Sequence, residues 1–301
     1  MTILFLGVGK MGLPMARHLN AAGHVLQVHD LDPARLSLAR QAGLKVVDDV
    51  LSQLQASDLI ISSLPHDTAL LGVADWLSQH GRAGQAWVDT STVSLSASQE
   101  AAQRVAQRGL EHLRVTVSGN NHMAEAAQLT VLASGPQALH QRVLPLLQCW
   151  GPNQFHLGLG EQARLMKLVI NLMIAQTSAM LAEAMTLGRQ GGLDWQTLWQ
   201  VVGSSAVASP IMKAKSQQLG RALGERDFSP TFTVHQMLKD IGLIMQAGAD
   251  LHVPLTQTSQ TQQWMQAAIA QGDGDLDYAA IFKVVERAAG LSGEAWIDAV
   301  T

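Results

Sequence analysis

The chain has 301 residues, a formal net charge of −4, 47% hydrophobic residues and one cysteine. At roughly 100–200 residues per domain, that length gives two domains, each able to bury a core. The apolar fraction excludes wholesale disorder, and the lack of a basic excess argues against nucleic acid or an anionic membrane as partner. One cysteine, Cys149, excludes an internal disulfide framework and fits a reducing, cytoplasmic setting, where it reads as an ordinary small side chain.

The start, Met1–Gly7, is apolar but reaches glycine at once and has neither a basic leader nor a small-residue cleavage site, so it reads as a strand. Short apolar runs ending in Gly, Asp or Pro predict buried strands at Ile3–Leu6, Val25–Val28, Leu59–Leu64 and Ala86–Asp89. Amphipathic stretches between them predict helices at Met11–Ala22, Pro33–Gln41 and Ser94–Arg108. This alternation implies a parallel α/β sheet. After about Gly160 the strand signals stop. Gln162–Gln190 predicts one long helix, apolar on nearly every side in its first half and therefore buried. Lys167, Asn171, Gln176 and Glu183 interrupt its apolar run, which speaks for a soluble core helix over a membrane span. The rest reads as helical, broken at Gly191-Gly192, Pro210, Pro230, Pro254 and Gly272–Gly274.

The first strand runs into Gly7-Val8-Gly9-Lys10-Met11-Gly12. In this G-x-G-x-x-G pattern Gly7 permits the tight turn, Gly9 lets a pyrophosphate approach, and Gly12 lets helix and strand pack. The helix N-terminus then faces the phosphates with free N–H groups. A glycine turn alone is ordinary, but here a strand precedes it, a helix follows, and the next strand ends in Asp30. That carboxylate sits where it would accept the ribose hydroxyls of NAD and repel the 2′-phosphate of NADP, with Asp32 adding repulsion and Arg35 offsetting part of it. The expected cofactor is NAD, with NADP less favoured. The bland reading of Asp30 and Asp32 is a helix cap beside Pro33. The chain thus divides into a dinucleotide-binding Rossmann domain, residues 1–160, and an all-helical domain, residues 161–301, beginning with an interdomain helix at about 162–190.

Gly7-Val8-Gly9-Lys10-Met11-Gly12-Leu13-Pro14-Met15-Ala16 resembles the signature of the β-hydroxyacid dehydrogenases, the 3-hydroxyisobutyrate dehydrogenase-like family. The resemblance continues through Ile60–Pro65, Asp89-Thr90-Ser91-Thr92, Val117-Ser118-Gly119, Gly158–Gly160 with Lys167 and Asn171, and Met237-Leu238-Lys239-Asp240. It implies a Rossmann domain, a long interdomain helix, a 6-phosphogluconate dehydrogenase-like helical domain and a homodimer or homotetramer. It also implies cofactor contacts at Met11, Leu64, Pro65, Thr92 and Lys239, substrate contacts at Ser118 and Gly119, and catalysis by Lys167 assisted by Asn171. The segment Arg114–Ala127 departs from the family: several usual glycines are replaced, and Asn120, Asn121, His122 and Met123 stand there instead. Asn120 joins the candidate substrate contacts. His122 by itself reads as a surface histidine.

Hydride transfer from an alcohol carbon needs a group to take the hydroxyl proton, and the reverse needs a donor for the carbonyl oxygen. Lys167, set among Leu165, Met166, Leu168, Val169 and Ile170, suits this role if burial lowers its pKa. The plain alternative is a lysine that snorkels to water. Asn171, one turn on, shares its face. Eleven histidines show no metal-ligand spacing, and no nucleophile elbow or P-loop occurs, so no metal is expected. The resulting expectation is an oxidoreductase acting on a small anionic β-hydroxyacid or its semialdehyde. Two alternatives stand beside it: a reductase of another group such as an imine, against which Lys167 argues, and a silent NAD-binding protein with an altered substrate loop.

Overall fold

A computed structural model describes residues 1–291, which form two compact units, Met1–Leu168 and a second beginning at Val169. The first unit contains β1 (Thr2–Leu6), α1 (Gly12–Ala21), β2 (Val25–His29), α2 (Pro33–Gln41), α3 (Val50–Ala56), β3 (Leu59–Ser62), α4 (Asp67–His80), β4 (Ala86–Asp89) and α5 (Leu95–Gln107). It continues with β5 (Glu111–Ser118), α6 (Asn121–Glu125), β6 (Thr130–Ser134), α7 (Gln137–Gln148), β7 (Asn153–His156) and the start of α8 (Gln162–Gln190).

The seven strands form one sheet in the order β2-β1-β3-β4-β5-β6-β7. All neighbours run parallel except β5 and β6, which are antiparallel. The connection between those two, residues 119–129, is too short for the crossover that a parallel pair requires. Period-2 alternation sends Ile3, Phe5, Ile61 and Val88 into one core layer with side chains of α1, α2 and α7. Leu4, Leu6, Ile60 and Trp87 enter the opposite layer with α3, α4 and α5.

The predicted elements of this half are present, with shifted ends. The strand expected to reach Leu64 stops at Ser62, because the Leu64 N–H donates to Ser91 Oγ (2.8 Å) instead of to a ladder partner. The helix expected from Ser94 starts at Leu95, and the Ser94 hydroxyl caps it by accepting from the Ala97 N–H. Asp32 caps α2, with Pro33 in its first turn.

The second unit holds the remainder of α8, then α9 (Trp195–Ser204), α10 (Pro210–Leu219), α11 (Val234–Asp250), α12 (Thr256–Ala270) and α13 (Ile281–Ala288). Each expected break falls between helices or at a first helical residue, as with Pro210, which opens α10 behind its Ser209 cap. Thr233 and Gln236 form a capping box at the start of α11. The core gathers Trp195, Trp199, Met237, Tyr278 and Phe282. Buried Glu286 is forked by Arg226 at 2.9 and 3.1 Å, and buried Asp277 accepts from Lys215 at 2.5 Å.

The expectation that α8 is buried on nearly every side is corrected. Met166, Val169, Met173, Met180 and Leu187 are exposed, while Ala163, Leu168, Ala175, Leu181 and Ala182 are buried. A straight helix turns one stripe towards its core, so apolar residues off that stripe stay outside whatever their hydropathy. Among the described residues α8 alone is long and apolar enough, by length and composition, to cross a membrane.

Candidate active site

The turn after β1 is dictated by backbone contact. Gly7 has φ +90°, and a Cβ there would stand 2.3 Å from the Ser63 carbonyl oxygen. A Cβ on Gly12 would stand 2.0 Å from the Gly7 oxygen. On Gly9 it would meet nothing within 4 Å, so that glycine's open side leaves room for a phosphate at the end of α1. These three environments match the three roles expected of the motif, and the residues present fit a dinucleotide. Asp30 does more than wait for a ribose: Oδ2 accepts the Val8 N–H (2.8 Å) and Oδ1 the Asp32 N–H (2.9 Å), so the carboxylate also braces the glycine turn. Arg35 Nε lies 4.0 Å from Asp32, a loose and exposed pair.

Asp30 follows β2, the glycine turn follows β1, Leu64 and Pro65 follow β3, and Thr92 follows β4. These strands are consecutive neighbours, so the residues form a row along their carboxyl ends, about 14 Å long over three inter-strand gaps. The chain order reverses direction between β1 and β3, the position where open α/β sheets form a ligand crevice.

Next in the row, β5 ends at Ser118. Gly119 has φ +139°, and a Cβ there would stand 2.7 Å from Leu129 Cδ2. The Asn120 side-chain Oδ1 accepts the Met123 N–H (3.0 Å) and caps α6, so part of this candidate substrate contact is already committed. His18 Nε2 on α1 lies 2.9 Å from the Ala124 oxygen and 3.1 Å from the Glu125 oxygen, and Arg17 pairs with Glu125 at 2.8 Å. The helix opened by the phosphate turn thus holds the helix that follows the substrate loop. Ala127 has φ +52°, left-handed backbone that is uncommon for a residue with a side chain. The loop adopts that conformation with an alanine. His122 is exposed and Asn121 half-buried.

The first turn of α8 is stitched to β5 and β6. Arg114 Nε donates to Glu161 (2.6 Å), Ser134 Oγ to the Gly160 oxygen (2.6 Å) and Thr116 Oγ1 to the Ala163 oxygen (3.0 Å). Lys167, one turn further, is half-buried, with Met166 and Val169 exposed beside it and only Leu168 of its apolar neighbours buried. The expectation of a lysine enclosed by buried apolar residues is therefore corrected.

In the second unit, Asn171 is buried and its Nδ2 donates to Asp240 Oδ2 (2.5 Å), while Lys239 Nζ lies 3.0 Å from Asp240 Oδ1. Asn171 and Lys239, 68 positions apart in the sequence, thus meet at one buried carboxylate. Sequence reasoning quoted Asp240 without giving it a task; the signal was an acid inside an apolar helical pattern. It also passed over Arg164, a second cation in the apolar run that holds Lys167. Cys149 is half-buried and donates to the Pro145 oxygen, and burial pushes its thiol pKa up. Among the described residues no three His, Cys, Asp or Glu side chains gather as a metal site.

The family model for the NAD binding domain of 6-phosphogluconate dehydrogenase matches residues 2–158, and that for the NAD-binding region of NADP-dependent 3-hydroxyisobutyrate dehydrogenase matches residues 161–285. The 2-(hydroxymethyl)glutarate dehydrogenase of Eubacterium barkeri is 32% identical over 292 residues, covering 96% of each chain. The 3-hydroxyisobutyrate dehydrogenase of Pseudomonas aeruginosa is 31% identical, covering 94% of this chain and 97% of its own. The solved Mycobacterium tuberculosis 3-hydroxyisobutyrate dehydrogenase with L-serine superposes with a TM-score of 0.86 at 27% identity, covering 94% of this chain and 98% of its own.

Proposed function

This chain belongs to the β-hydroxyacid dehydrogenase family and is an NAD(P)-dependent oxidoreductase, and from that premise we propose that it moves a hydride between NAD and a small anionic hydroxyacid or semialdehyde, with Lys167 as general acid–base. The observation that carries the reading is the set of bonds from β5 and β6 to the first turn of α8, which holds Lys167 on a rigid base beside the crevice row. Bound NAD supplies the hydride acceptor. In oxidation the substrate would give a hydride to bound NAD and its hydroxyl proton to the Lys167 side chain, leaving a carbonyl. In reduction the lysine ammonium returns the proton. Asn171, one turn along α8 from Lys167, is fixed by the bond from its Nδ2 to Asp240 Oδ2 and assists the lysine. Ser118 and the Gly119 backbone hold the anionic end, and Leu64, Pro65, Thr92 and Lys239 serve the cofactor.

Asp30 supports NAD over NADP, because its carboxylate, seated by two N–H groups at the end of β2, would repel a 2′-phosphate. The substituted Arg114–Ala127 segment supports a substrate other than 3-hydroxyisobutyrate, since side chains replace glycines beside Ser118.

The test is a panel of hydroxyacids, including 3-hydroxyisobutyrate, L-serine and 2-(hydroxymethyl)glutarate, assayed with NAD and with NADP. Lys167→Met should lower kcat by about 10²–10⁴-fold while NADH affinity, read by fluorescence, changes little. Retained activity removes the lysine from the mechanism. Preference for NADP overturns the reading of Asp30. If 3-hydroxyisobutyrate is best by a wide margin, the substituted loop does not select the substrate. Turnover of imines alone, or tight NADH binding with no turnover, favours the two alternative readings.

A further inference from the structure

Arg164 is fully buried, and each of its five N–H donors has an acceptor. Nε donates to Ser98 Oγ (3.3 Å); Nη1 to the backbone oxygens of Ser91 and Val115, the latter at 2.9 Å; Nη2 to the Asp89 backbone oxygen (3.3 Å) and to Asp89 Oδ2. Asp89, equally buried, accepts from Ser62 Oγ (2.5 Å), Ser91 Oγ (2.7 Å) and the Ser91 N–H (3.2 Å). Ser91 Oγ in turn accepts the Leu64 N–H (2.8 Å). One guanidinium therefore joins α8, one turn before Lys167, to the carboxyl end of β4 and the Ser91 beyond it, to Val115 in β5 and to Ser98 in α5, and it reaches the end of β3 through the Asp89–Ser62 bond.

A buried ion pair is poor value as stabilisation alone, since matched apolar groups often do as well. What the planar fork supplies is geometry: five directed bonds fix its position relative to β4, β5 and α5 at once. We propose that Arg164 is a positioning residue for the hydride transfer, setting both the nicotinamide-side segments, Leu64–Pro65 and Ser91–Thr92, and the base of Lys167. This rests on the reading of Lys167 given above.

The test uses the intact enzyme and the hydroxyacid that turns over fastest in the panel. In the double variant Arg164→Met/Asp89→Asn both charges go together, so no unpaired ion is left in the core. Its kcat per folded molecule should fall about 10–100-fold, as misplacement by about 1 Å costs. The deuterium isotope effect on kcat should rise, because a misplaced base slows the chemical step selectively. NADH should bind at least about fivefold more weakly, a loss of about 1 kcal/mol. ADP-ribose, which lacks the nicotinamide and so makes no use of Leu64–Pro65 and Ser91–Thr92 in this proposal, should bind as it does to the wild type. A merely structural arginine would lower the melting temperature while leaving the isotope effect and the NADH to ADP-ribose affinity ratio unchanged, and that result overturns the proposal. If the double variant does not fold, Arg164→Lys keeps the charge without the fork and is judged by the same two readouts. Lys167→Met keeps the proposals separable: if it retains turnover the base assignment fails, while the affinity ratio still decides Arg164.

Discussion

The loops that follow β1 and β5 at the carboxyl edge of the sheet are built on opposite physical principles. In the phosphate turn, Gly7 and Gly12 are demanded by backbone atoms 2.3 and 2.0 Å from where a Cβ would stand. Between Ser118 and Ala127 only Gly119 carries such a demand, against the movable tip of Leu129, and Ala127 takes a left-handed conformation without being glycine. Side chains shape this second loop: the Asn120 cap, the His18 bonds to the Ala124 and Glu125 oxygens, and the Arg17–Glu125 pair. A loop fixed by excluded volume tolerates no change at its glycines. A loop fixed by side-chain bonds can be retuned, which is what a family needs where members share a cofactor and differ in substrate.

The sharpest way to break this contrast is Gly12→Ala. Its Cβ would collide with backbone that has no way to yield, so the expected cost is about 3 kcal/mol or more in urea unfolding, with NADH binding lost in fluorescence titration. Wild-type affinity in that variant would show the turn to be as adaptable as the other loop. Gly119→Ala should cost about 1–3 kcal/mol, from the strained φ, and should raise the KM of the hydroxyacid while sparing NADH affinity. Equal loss of both would mean that the loop serves the cofactor too.

The strand beneath the second loop gives a pH test. Burial, then the charges of Arg114 and Arg164, hold the His112 imidazole well below its ordinary pKa of 6.5. The folded protein keeps this ring neutral while the unfolded chain binds a proton below pH 6.5, so stability falls as pH falls from there. The expected loss is up to about 1.4 kcal/mol per pH unit, measured by urea unfolding at pH 7 and at pH 5. His112→Phe keeps the stack on Trp87, at 4.4 Å between ring centroids, and should flatten that dependence. An unchanged slope would place the acid sensitivity elsewhere. The smallest effect is Ala127→Gly, which relieves the left-handed strain and should stabilise by about 0.5 kcal/mol in thermal unfolding. A destabilisation would mean that Ala127 is held at φ +52° without strain.

Legibility in the sequence followed the kind of signal each element carries. β1 to β4 are short apolar runs, and all were readable. β5, with Glu111, His112, Arg114 and Thr116, was not read as a strand, yet all but its end residues are buried. Its polar groups are tolerated because Arg114 meets Glu161 and Thr116 meets the Ala163 oxygen, partners 47 positions away that no local pattern reveals. Helix caps at Asp32 and Ser94 and the breaks at Pro210 and Pro254 were legible because they act over three or four residues.

By itself the sequence determined the alternation of strands and helices, the glycine turn with its acid at the end of the next strand, and the presence of a lysine and an asparagine one turn apart on a long helix. All of these are local, set by hydropathy period, backbone sterics and spacing. Tertiary packing alone reveals that Asp30 braces the glycine turn, that Asn171 hangs on Asp240, that Lys167 is half-buried, and that Arg164 ties β4, β5 and α5 to the helix carrying it. The reason is physical. Burial of a polar group is tolerated when its donors and acceptors are matched, and those matches are made between residues distant in the chain.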